Sequence, residues 1–294
     1  MESEFAIPAF YSPLDQESRE IRILEILPEP HPLDGRTQCY IHIKSLLSNP
    51  GYDSLSYAWG LPDDCNFKIW IAQSEEEDIL VSVRRNLLCA LRVLRANGVR
   101  MIGIDALCID QNNMNEKGHQ VEMMGDIYRN ARRVLSWLGT PDQFEMTSPT
   151  LDTAREAPVD VRVQAFDLLE DICSRYNNWI NSEKMHRRID YPSYSWTKHL
   201  HYLTWWENSF VSDAAFGSHF SHLVSLCYEE YWGRLWIIQE VCLARNLQIL
   251  RGRRMLDWEK FHTYRMIISI ADPQRADYLS NLLTRVSRFI PNVP

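Results

Sequence analysis

The segment "VRMIGIDALCIDQNNMNEKGHQVEMMGDIYRNARRVLSWLG" (Val99–Gly139) indicates the fold class, because it predicts a strand, a helix and a second strand in succession. The apolar run "VRMIGIDALCID" indicates a buried strand, and the polar turn "QNNMN" follows it. The next segment has helical periodicity, with one face formed by Gln120, Met124, Ile127, Tyr128 and Ala131. "RVLSWLG" is a second buried strand. This order favours a parallel sheet flanked by helices, with ligands at the carboxyl ends of the strands.

The flanking segments extend the same α/β pattern. "IRILEIL" and "CYIHIK" alternate apolar and polar residues around "DGRTQ", which predicts an N-terminal β-hairpin. "DSLSYAWG", "FKIWIA" and "NLQILRG" are further strands. "SVRRNLLCALRVLRANG" predicts a helix that begins at Ser82 as its N-cap and stops at Gly98. The fold class is therefore α/β, with a mostly parallel sheet, a hairpin at its start and helices on its faces.

The alternation of strands and helices is interrupted between about residues 140 and 228. Within this part, "APVDVRVQAFDLLEDICSRY" and "SHFSHLVSLCYEE" are helical, so we expect a helical insertion. The predicted organisation is a leader over 1–20, a domain over 21–252 that contains the insertion, and a C-terminal helical extension over 253–294.

Composition is typical of a globular protein, with 45% hydrophobic and 24% charged residues in a chain of 294. The net charge of −8 argues against nucleic acid or an anionic membrane as a partner. Seven cysteines without a C-x-x-C predict reduced thiols, and no signal peptide or membrane-spanning run is apparent, so we expect a cytoplasmic protein. No metal site is predicted, since the pairs His199/His201 and His219/His222 lack further ligands.

An acidic residue stands out in "YWGRLWIIQEVCLAR" (Tyr231–Arg245), which predicts one buried helix. On a helical wheel, Arg234 and Arg245 fall on a solvent-facing strip, whereas Glu240 lies beside the aromatic face, one turn from Trp236. Solvent exposure does not explain this carboxyl group. It is either a member of a structural ion pair or a catalytic group in an apolar pocket, and the residues alone favour neither.

Two further motifs place polar and aromatic residues at the ends of strands. "LSYAWG" brings Tyr57, Trp59 and Gly60 to one strand end, where the alternatives are aromatic packing with a turn glycine or a ligand contact. "IDALCIDQ" supplies the candidates Asp105, Cys108, Asp110 and Gln111. An acidic helix cap could account for Asp110, but Asp105 in an apolar strand must be paired or functional. Gln120 on its apolar helix face likewise needs a partner.

Together the three motifs resemble the heterokaryon-incompatibility (HET) domain of filamentous fungi. That family carries "LSYxWG", then "IDAxCIDQ" or "IDAxCINQ" running into "WLG", then "W…R.W..QE….A". This chain has "LSYAWG", "IDALCIDQ" with its following helix and "WLG", and "YWGRLWIIQEVCLA", and the resemblance covers about residues 21–252. HET domains are in turn similar to TIR domains, so the resemblance implies a TIR-like, flavodoxin-like sheet, with an insertion far longer than TIR domains have there.

The TIR likeness implies roles for the candidate residues. In TIR domains that cleave NAD, the glutamate that follows the tryptophan is catalytic, and this position corresponds to Glu240. The implied substrate is NAD or a related nucleotide, with no other cofactor. Trp59 and Trp236 would stack on its rings, and Arg234 would meet phosphate. The remaining implied substrate-binding or loop-positioning residues are Tyr57, Gly60, Asp105, Cys108, Asp110, Gln111 and Gln120.

The resemblance also implies a biological role, as an effector of programmed cell death in fungal non-self recognition and innate immunity. One expectation is enzymatic: hydrolysis of NAD at the nicotinamide–ribose bond. The alternative is a non-enzymatic signalling module that acts by homotypic self-assembly, in which Glu240 pairs with an arginine. Both expectations include a homo-oligomer, and an upstream sensor protein is a further expected partner.

Overall fold

The computed structural model of the chain describes residues 11–60, 67–73, 77–139, 163–186, 229–234 and 237–260. The strands within these residues are β1 (Glu20–Ile26), β2 (Gln38–Ser45), β3 (Asp53–Tyr57), β4 (Phe67–Ile71), β5 (Ile79–Val83), β6 (Met101–Gly103), β7 (Val134–Trp137), β8 (Leu247–Arg251) and β9 (Arg254–Asp257). The helices are α1 (Arg85–Ala96), α2 (Asp105–Cys108), α3 (Met114–Glu122), α4 (Met124–Asn130), α5 (Val163–His186) and α6 (Ile237–Cys242). The predicted α/β class is confirmed.

The chain divides into two compact units. The first comprises Met1–Pro158 and Arg234–Arg253, and the second comprises Val159–Gly233 and Arg254–Pro294. All the described strands except β9, and all the described helices except α5, belong to the first unit. The predicted boundaries at residues 20 and 252 remain predictions.

The sheet of the first unit is mixed. Its strand order is β5-β4-β2-β1-β6-β3-β7-β8, and β6, β3, β7 and β8 run parallel as neighbours. β1 pairs antiparallel with β2 along its whole length, so the predicted N-terminal hairpin is confirmed. Because β1 also pairs antiparallel with β6, the hairpin lies inside the sheet. The expectation of a mostly parallel sheet is therefore corrected to a mixed one.

The helices of the first unit begin and end at residues that differ in part from the prediction. Ser82 lies in β5, and α1 begins at Arg85 with Arg84 as its N-cap, so the predicted N-cap was wrong. Gly98 follows the helix with φ +72°, a left-handed conformation that favours glycine, and it is the predicted stop. Asp105 begins the short helix α2 and does not continue a strand. The helix predicted after "QNNMN" is two helices, α3 and α4, on either side of Met123.

Burial in the first unit shows that the sheet is covered on both faces and how α3 is held against it. Every residue of β3 and β7 is buried, as expected for parallel strands covered on both faces. Gln120 is only 1% exposed, and its side-chain amide donates to the Glu20 carbonyl at 2.9 Å. The partner that this buried residue required is thus the backbone of β1, which ties α3 to the sheet.

The second unit is described through α5, β9 and the residues next to them. α5 confirms the first of the two predicted insertion helices, whereas the second lies outside the described residues, as do the four histidines. Arg254 pairs with Asp167 and Glu170, and Lys260 donates to Glu170 at 2.9 Å. At the start of the predicted C-terminal helical extension, Arg254–Asp257 form β9 and a helix starts at Trp258, and the extension as a whole remains a prediction. No helix among the described residues is long and apolar enough to cross a membrane.

Candidate functional site

The candidate site is built around the end of β3 and the turn that follows it, because three side chains, two from the start of α1 and one from before α6, bind carbonyl groups there. Arg234 donates to the Tyr57 carbonyl, Asn86 donates to the Ala58 carbonyl at 2.6 Å, and Arg84 donates to the Gly60 carbonyl at 2.9 Å. Gly60 has φ +80°, a conformation that L side chains rarely adopt. The motif "YAWG" is therefore a fixed turn at the carboxyl end of a buried parallel strand, where ligands bind in open α/β sheets.

Glu240 lies in α6 and is 2% exposed. The Ser56 hydroxyl donates a hydrogen bond to Glu240 Oε2, and Arg234 Nη1 lies 3.8 Å from the same oxygen. Arg234 keeps 23% of its side chain exposed while it bridges this carboxyl group and the Tyr57 carbonyl. The acid that the sequence singled out is thus buried beside a serine and a cation, at the end of β3.

A second carboxyl group, that of Asp105, belongs to the same site. The Trp59 indole N–H donates to Asp105 Oδ2 at 2.9 Å, and the backbone N–H of Ala106 donates to Oδ1 at 2.7 Å. Gln111 donates to the Asp105 carbonyl at 3.0 Å and so fastens the start of α2. Trp59 in turn carries the Arg84 guanidinium over its ring, 5.4 Å from the ring centroid. The three sequence motifs therefore meet at the end of β3, where Trp59 contacts Asp105 and Tyr57 contacts Arg234.

The two carboxyl groups have perturbed acidities. Burial raises the pKa of Glu240, and the nearby Asp105 charge raises it further, against the opposing effects of Arg234 and the Ser56 hydrogen bond. Burial also raises the pKa of Asp105, although the Trp59 hydrogen bond and Arg234 act in the opposite direction. The phenol of Tyr57 has its pKa raised well above its ordinary value, again by burial. The site thus disfavours negative charge despite its cation.

The helix predicted over Tyr231–Arg245 was wrong in its first half. A short 3-10 turn, Glu230–Gly233, precedes Arg234, which is not helical, and α6 begins only at Ile237. A helical wheel drawn through a non-helical residue misplaces it: Arg234 faces Glu240 and is only partly exposed, whereas Arg245 is exposed as predicted. Trp236, the predicted stacking residue, lies outside the described residues.

The other predicted site residues have contacts that hold the loop and α3. Cys108 is buried, its sulfur accepts from the Ile104 N–H at 3.4 Å, and burial raises its pKa to about 11. Asp110 accepts from the Asn112 N–H at 3.0 Å, but the N-cap of α3 is Asn113. With Gln120 bound to β1, these residues have the contacts expected of loop-positioning groups, and their roles toward a substrate remain predictions.

Sequence reasoning missed Ser56, Arg84 and Asn86. The serines of β3 fit an ordinary strand alternation, so nothing near Ser56 in the sequence indicates its contact with Glu240, 184 positions away. Asn86 accepts from the Trp137 indole N–H at 2.7 Å and links β7 to the turn after β3. Two adjacent arginines at the start of α1 were the available signal, because a helix N-terminus rarely carries cations without a partner.

The arrangement of Glu240, Trp59 and Arg234 could stabilise positive charge on a bound molecule. A carboxylate removed from water interacts strongly with positive charge that develops on a bound molecule. As a carboxylate, Glu240 could stabilise such charge, and the Trp59 ring and Arg234 offer an aromatic surface and a cation nearby. Among the described residues, no group of three or more histidine, cysteine, aspartate or glutamate side chains is arranged to hold a metal ion.

Comparison with known proteins agrees with the motifs. The sequence profile of the family described as "Heterokaryon incompatibility protein (HET)" matches residues 52–240, more than half of the chain. "Heterokaryon incompatibility protein 6, OR allele" of Neurospora crassa is 24% identical over an alignment of 285 residues that covers 92% of this chain and 38% of that protein. The chain thus spans well under half the length of this relative. No solved structure matches the chain. The chain belongs to the heterokaryon incompatibility (HET) family.

Proposed function

We propose that this HET domain is an effector of heterokaryon incompatibility that hydrolyses NAD at the nicotinamide–ribose bond. One observation carries the proposal: Glu240 is 2% exposed, at the carboxyl end of β3, with a raised pKa and a cation 3.8 Å away. A structural carboxylate would be expected to have its pKa lowered by its partner. A carboxyl group that the fold keeps buried, although burial disfavours its charged form, is a candidate catalytic group.

The proposed reaction breaks the bond between the ribose C1′ and the nicotinamide nitrogen, and the nitrogen keeps the electron pair. Positive charge develops on the ribose ring, as in glycoside hydrolysis, and the Glu240 carboxylate stabilises it. Water then adds to C1′ and loses a proton, so that the products are ADP-ribose, neutral nicotinamide and H⁺. The Trp59 ring would stack on a base, and Arg234 would meet phosphate or a sugar hydroxyl.

The alternative is a non-enzymatic module that triggers cell death by self-assembly. It is favoured by the 3.8 Å contact between Arg234 and Glu240, which is the arginine partner that this alternative requires. Under this alternative Glu240 orders the turn after β3 and contributes nothing to catalysis. We propose a homo-oligomer in the cytoplasm under both functions, with an upstream sensor protein as partner and without nucleic acid or membrane as partners.

A nicotinamide-release assay on purified protein tests the proposal. The wild-type chain should convert NAD to nicotinamide and ADP-ribose, and the Glu240→Gln variant should not. A rate per chain that rises with protein concentration would add assembly as the activating step. Absence of turnover at every concentration, with both proteins folded, would favour the self-assembly module.

A further inference from the structure

The strand β5 forms one edge of the sheet. It pairs antiparallel with β4 along its whole length, from Ile79 opposite Ile71 to Val83 opposite Phe67. In the part of the chain that the structure describes, no strand pairs with the other side of β5. In an antiparallel ladder the N–H and C=O groups of alternate residues point away from the neighbouring strand, so β5 presents a row of backbone donors and acceptors to a further strand.

The sequence of β5 lacks the proline, charge or bulge with which proteins commonly protect an edge strand. It reads "ILVSV", its register with β4 is unbroken, and its first three residues are only partly buried. Charges stand instead at its two ends, with Glu77 and Asp78 before it and Arg84 and Arg85 after it. A matching strand would be apolar and would carry these charges in the reverse order. An antiparallel copy of the same segment has both properties.

Two β5 strands related by a twofold axis complement each other in charge. With Val81 at the axis, all five residues of β5 pair, and acidic residues meet arginines at both ends. Glu77 then lies opposite Arg85 of the second copy, and both side chains are exposed. The Arg85 guanidinium lies 5.5 Å from the centroid of the Phe67 ring, so it stays beside the strand that precedes it. Opposite charges directly across two strands stabilise their pairing.

We propose that β5 is the surface through which two copies of this chain pair, as an antiparallel strand dimer centred on Val81. The proposal rests on the homo-oligomer of the proposed function and names its interface. Two five-residue strands form a small interface compared with the roughly 1,200–2,000 Å² of stable complexes, so the dimer is weak and forms as protein concentration rises. Arg84, directly after β5, donates to the Gly60 carbonyl at 2.9 Å and lies over the Trp59 ring. Pairing therefore acts next to the turn on which the candidate site is built.

Charge-reversal variants of the full-length chain test the pairing by sedimentation velocity across a protein concentration series. Low ionic strength is used, because exposed charges are then least screened. Glu77→Arg and Arg85→Glu each bring like charges together at both ends of the dimer, so each variant alone should dimerise about tenfold more weakly than wild type. An equimolar mixture of the two variants brings opposite charges together again and should recover dimer formation, as should the variant that carries both substitutions.

Glu122→Arg serves as the control, because it makes the same change of charge at an exposed residue of α3 and should dimerise like wild type. A wild type that stays monomeric throughout the series would overturn the proposal and leave the edge to a strand of another protein. Dimers that neither single variant weakens would place the homo-oligomer on another surface, and weakened variants that do not recover in the mixture would reject the antiparallel register. If the dimers behave as stated but release no nicotinamide, the proposed hydrolase fails and the interface stands.

Discussion

Replacing Glu240 with glutamine separates a catalytic carboxyl group from a structural one, because the substitution keeps shape and removes charge. The Coulomb attraction lost with Arg234 at 3.8 Å is about 4 kcal/mol at an effective dielectric constant of about 20. Burial of Glu240 nevertheless outweighs this attraction, since the pKa of the group is raised and not lowered. The surroundings therefore favour a neutral side chain at this position. We expect the free energy of unfolding at pH 7 to stay unchanged or to rise by up to about 2 kcal/mol.

The sign of the pH dependence follows from the same shift. A carboxyl group whose pKa is raised in the folded state contributes stability below its unfolded value, ordinarily 4.5, and loses it as pH rises toward the folded value. The advantage of Glu240→Gln should therefore be present at pH 7 and disappear near pH 4. Urea unfolding followed by circular dichroism at both pH values measures it.

Glu116→Gln is the matched control, because the same substitution acts on a glutamate whose pKa is lowered and not raised. Glu116 accepts two hydrogen bonds from Arg22 at 2.5 and 3.0 Å, and these outweigh its burial and lower its pKa. Arg22 is 1% exposed and would be left without its counter-ion, so this variant should lose about 3–5 kcal/mol. A loss of this size in Glu240→Gln would show instead that Glu240 is a structural ion-pair residue.

Three further predictions concern the surroundings of the site. Stability supplied by Glu116 should be lost as pH falls from its ordinary pKa of 4.5 through its lower folded value, and unfolding free energies of wild type and Glu116→Gln should converge there. Ser54 Oγ is buried without a hydrogen-bond partner among the described residues, so Ser54→Ala should lower the free energy of thermal unfolding by less than about 0.5 kcal/mol, and a decrease above about 1 kcal/mol would contradict this. Asn86→Ala removes the hydrogen-bond partner of the Trp137 indole N–H and of the Ala58 carbonyl, so the free energy of chemical unfolding should fall by about 2–4 kcal/mol. An unchanged unfolding midpoint would show that Asn86 does not link β7 to the turn after β3.

Local patterns in the sequence predict both the strands and the burial of Glu240. The alternation in "IRILEIL" and "CYIHIK" predicts β1 and β2, and no polar strip accounts for Glu240. Pairing direction is a different matter. Nothing local in β1 indicates that it lies between β2 and β6, antiparallel to both, so the mixed sheet could not be derived from periodicity.

Long-range contacts explain the remaining differences. Arg234 was assigned to solvent because a wheel assumes a continuous helix, whereas the chain is not helical there and its side chain reaches the Tyr57 carbonyl, 177 residues away in sequence. Asp105 was placed in a strand because its neighbours are apolar, but it starts a helical turn. Its carboxyl group accepts from the Ala106 N–H within that turn and from the Trp59 indole N–H in the turn after β3. Residues such as Ser56 and Asn86 carry no pattern of their own and become recognisable only with their partners.

The catalytic role of Glu240 is tested by nicotinamide release from NAD by wild type and by Glu240→Gln at equal folded fraction, across protein concentrations. We expect release by the wild type with stoichiometric ADP-ribose, and no release above background by a variant at least as stable as wild type. Equal release by the two proteins, or no release by a folded wild type at any concentration, would contradict the assignment of Glu240 as the catalytic residue of an NAD hydrolase.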